Sequence, residues 1–130
     1  MSARTVGARI AEDLRGAAGV LNASGWSQNV GLHDAETGAH DLTGSIYVAT
    51  GYHQKDKGGA WRAHALKNSA GRRASDCIRW VVQSLPTNTL ADYNDRVCRS
   101  QADAVDLLLR CAEDAERLLC NAREAERRLG

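Results

Sequence analysis

The sequence has no C-x-x-C pair, no long apolar run and no surplus of charge, and each absence removes a class of protein. Its four cysteines, Cys77, Cys98, Cys111 and Cys120, are spaced wrongly for a zinc knuckle or a thioredoxin-type redox site. On one helix, the nine positions between Cys111 and Cys120 turn the two thiols about 180° apart, so they cannot bridge each other. Such thiols serve as small core residues in a reducing compartment. No stretch reads as a membrane span, and Met1-Ser2-Ala3-Arg4 lacks the basic-then-apolar layout of a signal peptide. A soluble, cytoplasmic protein is the expectation. Seventeen Lys and Arg against sixteen Asp and Glu leave a net charge of +1, which excludes a general polyanion-coating protein.

The signatures of catalysis are missing as well. There is no G-x-S-x-G elbow, no cysteine-protease signature, no helical H-E-x-x-H and no dinucleotide fingerprint. Lys55-Asp-Lys-Gly-Gly59 contains glycine but is not a phosphate-binding P-loop. No catalytic residue, metal or cofactor is assigned, and an enzyme is the least supported class.

What remains is a chain of 130 residues with 43% hydrophobic composition, enough for one core and one domain spanning 1–130. Val6, Ile10, Leu14, Ala17 and Leu21 recur at helical spacing and predict a first helix from Ala3 to about Ser24. Gly25 is placed to stop it, with Trp26 folding back onto its end. Gly7, Gly16 and Gly19 suggest close packing against a neighbouring helix. Asp34-Ala-Glu-Thr-Gly38 has the form of a turn, which predicts a short two-stranded ribbon between Asn29 and Leu42. Leu42 to Tyr52 reads as a helix with Asp41 or Thr43 as N-cap and Ile46, Ala49 and His53 on one stripe.

Lys55 to Gly59 reads as a polar break, followed by a short helix from Ala60 to Ser69 that Gly71 ends. Cys77, Ile78, Val81, Val82 and Leu85 predict a helix from Ala74 to Leu85, closed by Pro86. Thr87 to Arg99 reads as a loop with one turn near Leu90–Tyr93. Ser100-Gln-Ala-Asp103 resembles a capping box opening a helix from Gln101 to Leu129, roughly 43 Å long and free of Gly and Pro. Its stripe comprises Leu108, Ala112, Ala115, Leu119 and Ala122, widened by Val105 and Leu109. Asp106–Arg110, Glu113–Arg117 and Glu124–Arg128 are spaced as supporting ion pairs. The fold class is therefore mainly α: a small bundle of about five helices, a short β-hairpin after the first helix, and a long C-terminal helix.

Several residues together resemble a known family: the Gly25-Trp26-Ser27-Gln28 step, the Thr37-Gly38 turn, the helix Leu42-Thr-Gly-Ser-Ile-Tyr-Val-Ala49, and Tyr93-Asn94-Asp95. They are similar to short, uncharacterised helical proteins of actinobacteria and the phages that infect them. In that family the second motif reads as Cys-Leu-Leu-Gly-Ala and the third as Trp-Asn-Asp; here Thr43 stands in place of the cysteine and Tyr93 in place of the tryptophan. The resemblance implies a fold and a biological setting, and supplies no mechanism.

Four constellations remain as candidates. Asn94-Asp95 is a possible polar site, or a turn whose side chains satisfy nearby backbone groups. His33 and His40 face each other across the expected ribbon near Asp34, Glu36 and Asp41, which is either a divalent-ion site or a solvated hairpin tip. Between His53 and Arg79 lie Lys55, Lys57, Arg62, Lys67, Arg72, Arg73 and Arg79 against Asp56 and Asp76, a segment of +5 in a chain whose remainder is −4. With Trp61 and His64 among them, Lys55, Lys57, Trp61, Arg62, Arg72 and Arg73 are the candidate contacts for a protein partner. Nucleic acid is the alternative target of the same segment. Lastly, the small-residue seam of the C-terminal helix and its overhang at Asn121–Leu129 suggest a homodimer.

Overall fold

The computed structural model describes the backbone of residues 3–63 and 67–129, and side chains within 6–63 and 69–118. Helix α1 (Ala3–Ser24) is followed by a looped segment, then α2 (Leu42–Ala49) and a hairpin of β1 (His53–Lys55) and β2 (Trp61–Ala63). Next come α3 (Lys67–Val82), a single turn α4 (Leu90–Asp92) leading into a π-helical turn at Tyr93–Val97, and α5 (Gln101–Leu129). This is the expected mainly α architecture, with a short hairpin after the first helix and a long last helix.

The core forms where α1 and α5 lie along each other, with α2 and α3 closing it. Ile10, Leu14, Ala17 and Leu21 are buried as their spacing requires, against Leu42 and Ile46 of α2 and Cys77 and Val81 of α3. On α5 the buried stripe holds Leu108, Ala112 and Ala115 as expected, but it also takes in Ala104, Leu107 and Cys111. Leu109 is 44% exposed and is not part of it. The side chains of Leu119, Cys120, Ala122 and the overhang lie outside the described residues. Cys77, Cys98 and Cys111 are free and buried. Burial pushes the Cys77 thiol up to about 12, which keeps it protonated and inert.

The termini of the elements follow local chemistry. Gly25, at φ +94°, ends α1 and donates its amide to the Leu21 carbonyl at 2.8 Å. Asp41 is the N-cap of α2 and accepts from the Gly44 amide at 2.6 Å. Ser100 Oγ accepts from the Asp103 amide at 3.1 Å, and the Asp103 carboxylate accepts from the Arg99 amide at 3.3 Å, so the capping box closes one residue early. The Trp80 indole donates to the Cys111 carbonyl at 2.8 Å and ties α3 to α5.

Several sequence expectations are corrected. The ribbon does not form within Asn29–Leu42: that segment makes only isolated bridges, Trp26 with His40 and His33 with His40, around the Asp34–Gly38 turn. The strands lie at 53–55 and 61–63, where a break and a short helix are expected. Asp56 is the reason. Its carboxylate accepts from the Gly58 and Ala60 amides, both at 2.9 Å, and from Arg62 Nε at 2.5 Å, which folds the chain back on itself. His53 accordingly belongs to a strand and not to the α2 stripe. Gly71 does not end a helix; α3 runs through it, and the Tyr52 ring packs there, 3.4 Å from where a Cβ would sit. A Cβ on Gly16 would meet that of Ala49 at 3.4 Å, whereas one on Gly19 would meet none of the described residues within 4 Å. Asp106–Arg110 pairs at 2.9 Å, but Arg117 pairs with Asp114 rather than Glu113.

Candidate functional site

The basic segment divides between two places. On the hairpin, Lys55, Lys57 and Arg62 are exposed, with Arg62 held by Asp56. Lys55 and Trp61 are directly paired across the strands, and the lysine Nζ sits 5.7 Å from the indole centroid, within cation–π range. The second place is a groove of about 490 Å³ between α1 and α3, with Val6 and Ile10 beneath Arg9, Arg72 and Arg73. The two neighbouring arginines there differ. Arg72 is exposed, whereas Arg73 reaches inward to Asp13, a carboxylate only 3% exposed, with Nε 3.1 Å from Oδ2 and a second bond from Nη2. That bond and the desolvated anion raise the Arg73 pKa. Arg73 is thus a structural cation. His64 and the Lys67 side chain lie outside the described residues.

Asn94 is wholly buried and uses its full hydrogen-bonding capacity. Its Oδ1 accepts from the Trp26 indole at 2.8 Å and the Leu42 amide at 3.0 Å. Its Nδ2 donates to the Ser27 carbonyl at 3.1 Å and to Asp95 Oδ1 at 2.9 Å. Asp95 in turn accepts from the Asn29 amide at 2.9 Å, which holds Asn29 at φ +63°. Gln28 completes the junction by donating to the carbonyls of Asn94 and Cys98 at 3.0 and 2.9 Å. The geometry of the pair is that of a clamp joining three chain segments.

The histidines are brought together, and a third joins them. His33 Nδ1 lies 2.6 Å from His40 Nδ1, and His33 Nε2 lies 3.0 Å from His53 Nδ1. Trp61 stacks on His33 at 5.0 Å between centroids and stands edge-on to His40 at 5.1 Å. Tyr47 and Tyr52 cover His53. Because the two contacts leave from opposite nitrogens of His33, the rings form a chain and do not converge on a point. Among the described residues, no three His, Cys, Asp or Glu are arranged to hold a metal ion.

Burial, then repulsion from the neighbouring histidines, pushes His33 down to about 4. Burial also lowers His40, with Lys55 adding to it, and lowers His53. Asp41, beside this cluster in sequence, is pushed up to about 6 by burial. Sequence reasoning found the His33–His40 pair but missed His53, Trp61 as its lid, and Asp13 as the partner of Arg73. Each is a long-range contact with no local signal.

The chain belongs to a family described as a family of unknown function (DUF6197), whose profile matches residues 5–114. No curated protein and no solved structure matches it. No helix among the described residues is long and apolar enough to cross a membrane.

Proposed function

We propose that this family member is a non-enzymatic interaction module of an actinobacterial or phage system, acting in the cytoplasm and binding an acidic protein partner through its basic segment. The observation that carries the reading is the hairpin, where exposed Lys55, Lys57 and Arg62 surround a half-buried Trp61. Arg72, at the rim of the apolar groove, offers a second point of attachment. Mixed apolar and cationic surface suits a protein segment carrying carboxylates beside apolar side chains.

Two features favour protein over nucleic acid. Arg62 and Arg73 are partly neutralised by Asp56 and Asp13, which reduces the charge available to a run of phosphates. The Trp61 ring is already engaged by His33 and Lys55, so it is not free to stack on a base.

The test compares the tagged chain with a Lys55→Glu, Lys57→Glu, Arg72→Glu variant in nuclease-treated actinobacterial lysate. The reading expects a defined protein retained by the first and lost by the second at equal thermal stability. Equal retention by both overturns it. Retention that requires intact nucleic acid and falls steeply with salt transfers the site to the alternative target.

A further inference from the structure

We propose that the His53–His33–His40 chain is a proton-operated latch, which holds the hairpin against the 26–41 loop at neutral pH and releases it on acidification. His53 and Trp61 belong to the hairpin; His33 and His40 belong to the loop. The His33–His53 contact, with the Trp61 ring against His33 and His40, is therefore the seam between the two. What release does to partner binding rests on the reading above; the latch does not depend on it.

The argument is a count of protons. Four ring nitrogens face one another in two contacts: His33 Nδ1 with His40 Nδ1, and His33 Nε2 with His53 Nδ1. Each contact needs one N–H and one lone pair. With all three rings neutral, both contacts are made, whichever way the donors run. One added proton is still accommodated, because an N–H can sit on the outward-facing nitrogens of His40 and His53. A second added proton leaves five protons for the six nitrogens of the rings. At least one contact must then set N–H against N–H, and two cations share a half-buried seam. The chain therefore opens on its second proton.

The surroundings do nothing to soften this. From β1, Lys55 adds a further positive charge beside His40. From α2 and its end, the groups that face His53 are the rings of Tyr47 and Tyr52, and neither is an anion. The two carboxylates nearest in sequence are engaged elsewhere, Asp41 on the Gly44 amide and Asp34 on the Glu36 amide. From β2, the uncharged indole of Trp61 packs against His33 and His40.

The experiment follows Trp61 emission on the full chain from pH 7.5 to 4.5, isolated by difference from a Trp61→Phe variant, with far-UV circular dichroism in parallel. The expected result is a red shift of Trp61 with a steepness above that of a one-proton titration, while the helical signal is retained. In His33→Gln the step should disappear, since the middle ring is gone. His53→Gln removes the ring contact that joins hairpin to loop, so the Trp61 step should be lost there too, which keeps the test open if the first variant does not fold. A one-proton step in the unmodified chain, a step unchanged by both variants, or a step coincident with loss of helix would each overturn the latch. An acid step with the expected steepness, in a chain that captures no protein at any pH, supports the latch and removes only the interaction reading.

Discussion

Asn94 and Trp26 are 68 positions apart in the chain, yet the Trp26 indole donates to the Asn94 carboxamide oxygen at 2.8 Å. That same oxygen accepts from Leu42, the first residue of α2, so one side chain joins the end of α1, the start of α2 and the approach to α5. The loop from Trp26 to Asp41 is therefore held at both ends by a single buried amide. This makes Asn94 the residue on which the seat of the histidines depends.

An Asn94→Asp substitution should separate this clamp from a chemical site. The change keeps the acceptor for Trp26 and Leu42. It loses the donor to Ser27 and sets a carboxylate against the Asp95 carboxylate. Roughly 3–5 kcal/mol of stability should be lost at pH 7, as for other uncompensated buried charges. Part of that loss should return as the pH falls and the introduced carboxyl takes a proton. Urea unfolding at pH 7 and pH 4.5 measures both; a loss of the same size at each pH rejects the account.

Gly44 and Gly19 are both helical glycines, but their alanine variants should move stability in opposite directions. A Cβ on Gly44 would meet the Leu32 carbonyl carbon at 2.9 Å, with the carbonyl oxygen closer still and His33 at 3.1 Å. The obstacle is backbone, so it cannot swing aside, and overpacking of about 1–3 kcal/mol outweighs the ~1 kcal/mol gain in helix propensity. A Cβ on Gly19 would meet none of the described residues within 4 Å, so Gly19→Ala should gain up to about 1 kcal/mol. Thermal unfolding of the two variants checks the pair.

These contacts show where the sequence was readable. The apolar stripe of α1, the Leu108–Ala112–Ala115 line of α5, the Gly25 stop, the Asp41 cap and the Ser100 cap are local patterns, and each appears where its residues predict it. The hairpin was misplaced because its determinant is one Asp56 carboxylate gathering amides from the turn ahead of it. The turn signal at Asp34–Gly38 is equally strong but leads only to isolated bridges. Asp13 sits on a line of charged residues and reads as solvated. Only the fold brings Arg73, 60 positions later, to its carboxylate. The site is thus less legible than the fold, since its contacts join residues that no periodicity relates.

Arg72 and Arg73 should separate cleanly in stability. Removing the Arg73 side chain leaves Asp13 buried without its partner, and Arg73→Ala should cost roughly 3–5 kcal/mol. Arg72 is exposed at the groove rim, and Arg72→Ala should stay within about 0.5 kcal/mol of the unmodified chain. Denaturant midpoints of the two variants decide it. A similar, small effect of both would show that the Asp13 pair contributes nothing to folding.

The histidines and Asp41 should pull stability in opposite directions across the same pH range. His33 falls from 6.5 in the unfolded chain to about 4 in the folded one, so the unfolded chain takes the proton first. The stability that its neutral ring contributes is complete above 6.5 and is lost as the pH falls toward 4; His40 and His53 act in the same direction. Asp41 is the reverse. Its carboxyl rises from 3.8 to about 6 in the folded chain, so its contribution is complete below 3.8 and is lost as the pH rises through 6. Asp34 and Asp56 are both lowered and act below this window. Between pH 4 and 6.5 Asp41 should offset part of the histidines' effect and leave the unmodified chain with a shallower pH dependence than the histidines alone would give. Asn caps a helix as well as Asp does, so Asp41→Asn keeps the start of α2 and removes only the opposing titration. The urea midpoint of that variant should therefore fall continuously from pH 7 to pH 4, and its stability relative to the unmodified chain should be greatest at the neutral end. Parallel curves for the two proteins would mean that Asp41 is not the group that offsets the histidines.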